Sequence, residues 1–355
     1  MSLPSVLLHD HLDGGLRPRT VLELAEAGGY RDLPADNDLD LAAWFDQKDS
    51  GSLEQYLQAF DHTIAVMQDA GALERVAYEA ALDLAADGVV YAEIRFSPSL
   101  HLEKGLEAAE VIEAVAAGMR LGEDETGLKW GLIIDALRHI HDSERLALLA
   151  LEHRDVGVVG FDIAGPEAGF PPEDHLAAFR LARGGGLRVT IHAGESGGTR
   201  GVAHMASAMD QCGAERIGHG VEIINDCEVH EDGITGLGPV ARRLRDRRIP
   251  LEMCPASNLA TNRLQPDQHP VGLLYRAGFN VTLSTDNRLM SSTSMSEEFD
   301  FVRKYHGFEI EDLARVTWRS LDAAFCPWEL KAALWEDVIA PAYAAAGANP
   351  DPVWA

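Results

Sequence analysis

Short apolar runs, most of them closing on polar or charged clusters, recur at residues 5–9, 89–96, 130–137, 156–163, 188–192, 216–219, 250–254 and 280–285. Between most of them lie segments with helical periodicity, such as residues 107–121 and 175–183. Strands that alternate with helices predict a parallel sheet, because parallel neighbours need a crossover connection. Eight such runs with no break in composition predict an α/β fold of the (β/α)8 TIM-barrel type. An open doubly wound sheet is the alternative, but no GxGxxG follows the first run and no GxxxxGK[ST] occurs.

The gap between the first and second runs is too long for one crossover helix. It predicts a helical insertion over about residues 15–85. A helix is expected at residues 20–27, with Thr20 as N-cap and Gly28-Gly29 as its stop. Another starts at Ser52, where Ser52-Leu-Glu-Gln55 has capping-box spacing. Leu53, Tyr56, Leu57, Phe60 and Ile64 fall on one face of it. That stripe fits ordinary core packing or a hydrophobic cover over a barrel mouth. Residues 309–347 read as helices, residues 1–348 as one catalytic unit, and residues 349–355 as a flexible tail.

The chain has 355 residues, and 30 Lys+Arg against 57 Asp+Glu give a net charge of −27. That charge repels phosphate backbones and anionic lipid, which argues against nucleic-acid and membrane partners. The basic stretch 242–248 reads as a solvated helix face. No run approaches the ~18 apolar residues of a membrane span. Cys212, Cys227, Cys254 and Cys326 form no CxxC pair and suit reduced thiols in the cytoplasm.

In a barrel of this type the chemistry sits at the C-terminal ends of the strands. The first run ends His9-Asp10-His11-Leu12-Asp13-Gly14. Residues i and i+2 of a strand share a face, so His9 and His11 project together. The fifth run ends in His192-Ala-Gly-Glu195, the sixth in His219-Gly220, and the eighth in Thr285-Asp286-Asn287. Singly, each residue also reads as a satisfied histidine or a loop cap. Together, imidazoles and a carboxylate without thiolate suit catalytic Zn²⁺, and Mn²⁺, Fe²⁺ or Co²⁺ fit the same donors. A second HxH, His139-Ile140-His141, is set aside.

These motifs resemble a known family. HxHLDG at 9–14, EIRFSP at 93–98, GFDIAG at 160–165, HAGE at 192–195, RIGHG at 216–220, CPASN at 254–258 and STDN at 284–287 are similar to those of the adenosine deaminases. Those are metal-dependent (β/α)8 enzymes of the amidohydrolase group. The resemblance implies hydrolytic deamination of adenosine and 2′-deoxyadenosine, with one Zn²⁺ per subunit held by His9, His11, His192 and Asp286. It implies Glu195 as proton donor and His219 as the group that orients or deprotonates water. It implies substrate contacts from His11, Asp13, Gly165 and Asn287, with Asp13 on the sugar 5′-hydroxyl. Leu53, Tyr56, Leu57 and Phe60 match the family's apolar lid, and Glu252 and Ser257 are expected behind His219 and Asp286. The implied partner is a small purine nucleoside; oligomeric state stays open.

Two departures from the family pattern stand out. Many relatives have Asp-Asp where this chain has Asp286-Asn287; an Asn amide still donates to purine N7. Many also have Asp-Glu where this chain has Pro166-Glu167, which leaves a role for that acid open. The alternative activity is deamination of free adenine or a modified 6-aminopurine nucleoside; a catalytically silent purine-binding protein is less in keeping with a complete residue set.

Overall fold

The computed structural model describes residues 3–231 and 233–349. The strands are β1 (Ser5–His11), β2 (Val89–Phe96), β3 (Lys129–Leu137), β4 (Val158–Ala164), β5 (Arg188–Ala193), β6 (Arg216–His219), β7 (Cys227–His230), β8 (Gly233–Leu237), β9 (Leu251–Met253) and β10 (Val281–Leu283). Eight of them form one parallel sheet in the order β1-β2-β3-β4-β5-β6-β9-β10, with helices between. Two backbone bonds bring the last strand back to the first: His11 N–H to the Asp286 carbonyl at 2.7 Å, and Asp286 N–H to the His9 carbonyl at 2.9 Å. The result is a nearly closed (β/α)8 barrel.

The strands lie within or near the eight apolar runs, with shifts at their ends. Residues 154–156 form a turn of 3-10 helix, so the fourth strand begins at Val158. The antiparallel hairpin β7–β8 was not anticipated. Its strands are short and at most half-buried, with only Cys227, Ile234 and Leu237 packed against the core, although Asp-Gly at 232–233 is a hairpin signal.

Five α-helices fill the span between β1 and β2: Pro18–Gly28, Asp38–Phe45, Leu53–Tyr56, Phe60–Val66 and Ala70–Ala86. The first starts at Pro18 rather than after Thr20, because proline suits the first helical turn. Thr20 lies inside it and its hydroxyl donates to Glu79. Gly29 ends it with φ of 72°. Ser52 caps the third by accepting from Gln55 N–H at 3.2 Å. The C-terminal region is helical from Ile310 to Ala345 with breaks. The tail expected at 349–355 lies outside the described residues except for Asn349, whose N–H donates to Glu311.

Helix Ala70–Ala86 packs closely on helix Ala108–Thr126 because Gly118 and Gly122 present no side chain to it. A Cβ at Gly118 would meet the Glu74 carbonyl oxygen at 2.1 Å and Ala77 Cβ at 2.8 Å. A backbone carbonyl within a helix cannot step aside. Gly118→Ala is therefore expected to destabilise the fold by about 1–3 kcal/mol despite alanine's better helix propensity. Urea unfolding midpoints of the two proteins check this.

Candidate active site

All the polar strand ends meet at the C-terminal mouth of the barrel. There His9, His11, His192 and Asp286 each offer one ligand atom, all within 4.8 Å of one another. Adjacent strands build the arrangement: β5 and β6 are registered with His192 beside Gly218 and Ala193 beside His219. A Cβ at Gly218 would lie 3.1 Å from His9 Cε1, so the glycine makes room for the His9 ring. His219 and Asp286 both have φ of 60°, in the left-handed region that non-glycine residues rarely adopt. Such strain persists where the surroundings fix a side chain's aim.

The Nδ1 protons of His9 and His192 can be placed from what lies behind them. His9 Nδ1 is 2.9 Å from Glu252 Oε2, and His192 Nδ1 is 2.8 Å from Asp162 Oδ2. His11 Nδ1 faces Asp135 Oδ2 at 3.4 Å. A carboxylate only accepts, so in His9 and His192 Nδ1 carries a proton and Nε2 is the nitrogen left to face the site. Yet His11 Nε2 and His192 Nε2 stand 3.2 Å apart, and His9 Nε2 has no hydrogen-bond partner among the described residues. Asp286 Oδ1 completes the group, 3.3 Å from His9 Nε2 and 3.5 Å from His11 Nε2. Converging lone pairs and a carboxylate in a buried site fit a divalent cation. Burial pushes the His11 and His192 pKa values down, which keeps those lone pairs available. His9 moves the other way. Burial and Arg95 lower its pKa, but the nearby carboxylates of Asp286 and Glu252 outweigh them, so the site draws positive charge.

Beneath the ligands runs a chain of buried ions. Arg216 joins Glu93 and Glu252, each at 2.5 Å, and Arg95 joins Glu252 at 2.9 Å and Asp162 at 2.5 Å. Glu252 thus supports His9 rather than His219 or Asp286. Ser257 does lie behind Asp286, donating to Oδ2 at 2.6 Å.

A cavity of about 300 Å³ opens beside the ligand cluster. His11, Asp13, Gly165, His192, Glu195, His219, Asp286 and Asn287 line it, roofed by Leu53, Tyr56, Leu57, Phe60 and Ile64. The stripe is therefore both packed and a cover: Tyr56 is buried, and its hydroxyl bonds Ser291 Oγ at 2.6 Å. Glu195, His219 and Asp286 form a second close group, with His219 Nε2 3.8 Å from Glu195 Oε2. Burial raises the Glu195 pKa well above the carboxylate range, and the negative charges of Asp286 and Glu167 add to it. Asp13 is pushed up to about 7 by burial, and its Oδ1 is unpaired among the described residues. His139 reaches the cavity wall but not the ligand cluster; His141 reaches neither.

Asp135, Arg138, Asp162 and Glu167 were not anticipated as site residues. For Asp135 and Asp162 the signal was available: charged residues inside apolar runs must be paired when buried. Glu167 replaces doubt with a definite task. Its carboxylate accepts from Gly194 N–H at 2.7 Å, Glu195 N–H at 3.0 Å, Ser196 N–H at 3.1 Å and His204 Nδ1 at 2.9 Å. It fixes the loop that carries Glu195. Burial alone would raise its pKa, but His204, Arg138 and the backbone donors pull it down to about 2. A depressed carboxylate stabilises the fold above its unfolded pKa, and that contribution is lost as pH falls towards 2. Between pH 5 and pH 2.5, wild-type protein should lose about 2 kcal/mol more stability than Glu167→Gln. Urea titrations at the two pH values measure the difference.

With this geometry in view, comparisons with known proteins agree. The family model for adenosine deaminase matches residues 4–341. A protein named adenosine deaminase 1 from Streptomyces coelicolor is 51% identical over 349 residues, covering 96% of this chain and 87% of its own. The crystal structure of an adenine deaminase from Arthrobacter aurescens superposes with a TM-score of 0.84 at 25% identity, covering 97% of this chain and 99% of its own. A zinc-bound amidohydrolase from Burkholderia ambifaria has a TM-score of 0.84 at 27% identity, covering 97% and 91%. The chain belongs to the adenosine deaminase family, metal-dependent hydrolases built on this barrel.

Proposed function

We propose that the protein deaminates adenosine and 2′-deoxyadenosine by hydrolysis at C6, with one Zn²⁺ per chain held by His9, His11, His192 and Asp286. The observation that carries this reading is a buried acid, Glu195, facing the same small roofed cavity as the cation-type donors. The 51% identity to a protein named adenosine deaminase 1 supports it, and the zinc-bound neighbour supports the metal. The cation would supply Lewis acidity and water ionised near neutral pH.

The rest of the chemistry belongs to side chains. Water added to C6 breaks the ring's aromaticity, and negative charge builds on N1. Glu195, kept protonated by burial, donates there and offsets that charge. Burial is the larger cause of its shift, so the acid persists when a cation cancels Asp286. His219 orients the attacking water. Gly165 faces the N3 edge, and the Asn287 amide serves N7 at any pH. Asp13 meets the 5′-hydroxyl. It accepts when ionised and donates when protonated, so its pKa of about 7 is no obstacle. The roof from Leu53 to Phe60 excludes water and strengthens each of these interactions.

One catalytic unit over residues 1–348, with the 15–85 insertion as cover, follows from this reading. Among the described residues no helix is long and apolar enough to cross a membrane. The four cysteines are unpaired, in keeping with a reducing, cytoplasmic setting.

Ultraviolet absorbance of zinc-loaded protein with adenosine, and in parallel with adenine, tests the function. Loss of the adenosine band with ammonia release and little change with adenine is expected. Faster adenine turnover would replace this reading with a base deaminase. Within the same assay, Asp13→Ala should lower kcat/KM for adenosine by about 10- to 100-fold, the size of one lost hydrogen bond to a buried charged or polar group. Glu195→Gln should lower kcat by roughly 10²–10⁴-fold, as for loss of a general acid. Because Glu195 acts in its protonated form, kcat/KM should fall as pH rises through its elevated pKa.

A further inference from the structure

Which nitrogen of His219 carries the proton decides whether the ring donates or accepts towards the reacting centre, and the ring alone does not determine it. The bonds behind it do. The backbone N–H of Val271 donates to His269 Nδ1 at 3.2 Å. That nitrogen therefore bears no proton. The His269 ring is neutral, its pKa pushed down to about 3 by burial and the neighbouring His306, so its single proton sits on Nε2.

His269 Nε2–H then points at Asn258, 3.3 Å from Oδ1, the one side-chain atom of Asn258 that can accept. With Oδ1 so fixed, the amide cannot flip, because the reverse orientation would set N–H against N–H. Asn258 Nδ2 therefore faces His219 Nδ1, 3.1 Å away, and donates to it. His219 Nδ1 is an acceptor and Nε2 holds the proton. His219, Asn258 and His269 are each at most 1% exposed, so water does not compete for these bonds.

We propose that Asn258 and His269 are positioning residues that hold His219 as its Nε2–H tautomer, so that in the resting enzyme the ring presents a donor to the cavity. His219 then holds the attacking water by donating to its oxygen, and it is not the first acceptor of that water's proton. The inverse arrangement serves His9 and His192: the carboxylates of Glu252 and Asp162 behind them put a proton on Nδ1, and an amide behind His219 puts it on Nε2. The role of the tautomer in turnover rests on the function proposed above, whereas the tautomer itself does not.

The test is a two-bond ¹H–¹⁵N correlation spectrum of the histidine rings in zinc-loaded, ¹⁵N-labelled protein, with His219 assigned by its loss in His219→Asn. A protonated Nε2 and a bare Nδ1 are expected in the wild type; a protonated Nδ1 overturns the proposal without reference to any substrate. Asn258→Asp keeps the shape and, at a pH where it is ionised, can only accept, so the His219 pattern should invert there. With it kcat should fall on the order of 10²-fold or more while KM stays within about threefold, as in other enzymes whose catalytic histidine is held in the wrong tautomer. Inversion with unchanged kcat would sink the catalytic half of the proposal. Asn258→Ala, which removes the donor and adds no acceptor, should show both tautomers; a single unchanged Nε2–H form there would also count against Asn258. Should no 6-aminopurine turn over, the spectra still read the tautomer, so failure of the function and failure of this inference stay distinct.

Discussion

One carboxylate organises the centre of this barrel. Glu252, on β9, receives His9 Nδ1 and Arg95 Nη2 on one oxygen, and Thr190 Oγ1 and Arg216 Nε on the other. Those four donors come from β1, β2, β5 and β6. A carboxylate has about four lone-pair directions, and here each is used. Removing either arginine would leave buried charge uncompensated, which costs several kcal/mol. The interior layers of such barrels are dominated by branched apolar residues. This one carries alternating charges from Glu93 through Arg216, Glu252 and Arg95 to Asp162, ending on the two histidines His9 and His192. Core and site are therefore one network.

Much of this was legible in the residues. Apolar runs separated by helical segments mark the strands, because burial on both faces demands them. The polar ends gave the site, because His9 and His11 must share a face and the mouth is where loops meet. What the sequence left open is what depends on distant pairing. Glu93 and Arg95 alternate within an apolar run and so had to find partners, but nothing local says that Arg95 meets Glu252 and Asp162. Its place in the sequence puts Glu252 behind His219, whereas registry across the barrel sends it to His9. The task of Glu167 is not legible in the sequence, since its partners are mostly backbone N–H groups, which leave no trace in residue type. The side-chain chemistry of Thr20 suits a cap, but Pro18 overrides it through its fixed φ.

Two residues at the mouth are held against their backbone preference. His219 and Asp286 both lie in the left-handed region, where a side chain is ordinarily disfavoured. Neighbours hold them there: Asn258 grips the imidazole, Ser257 the carboxylate, and both come from the helix Pro255–Asn262 that follows β9. A single turn of helix thus aims two functional groups from different strands. The roof is tied into the same region, since Gly51 N–H bonds the Ala260 carbonyl and Tyr56 bonds Ser291.

The ring of strands has a seam. Between β10 and β1 the described contact is an isolated bridge at Asp10 and Asp286, not a continuous ladder. The donor atoms of His9 and His11 stand on one side of that seam and Asp286 on the other. A cation bound by all of them would act as a cross-link between the first and last strands, closing nearly the whole chain into a loop. Cross-links that close long loops restrict the unfolded chain most. The same ion that serves chemistry would then rivet the cylinder shut where its backbone stitching is thinnest.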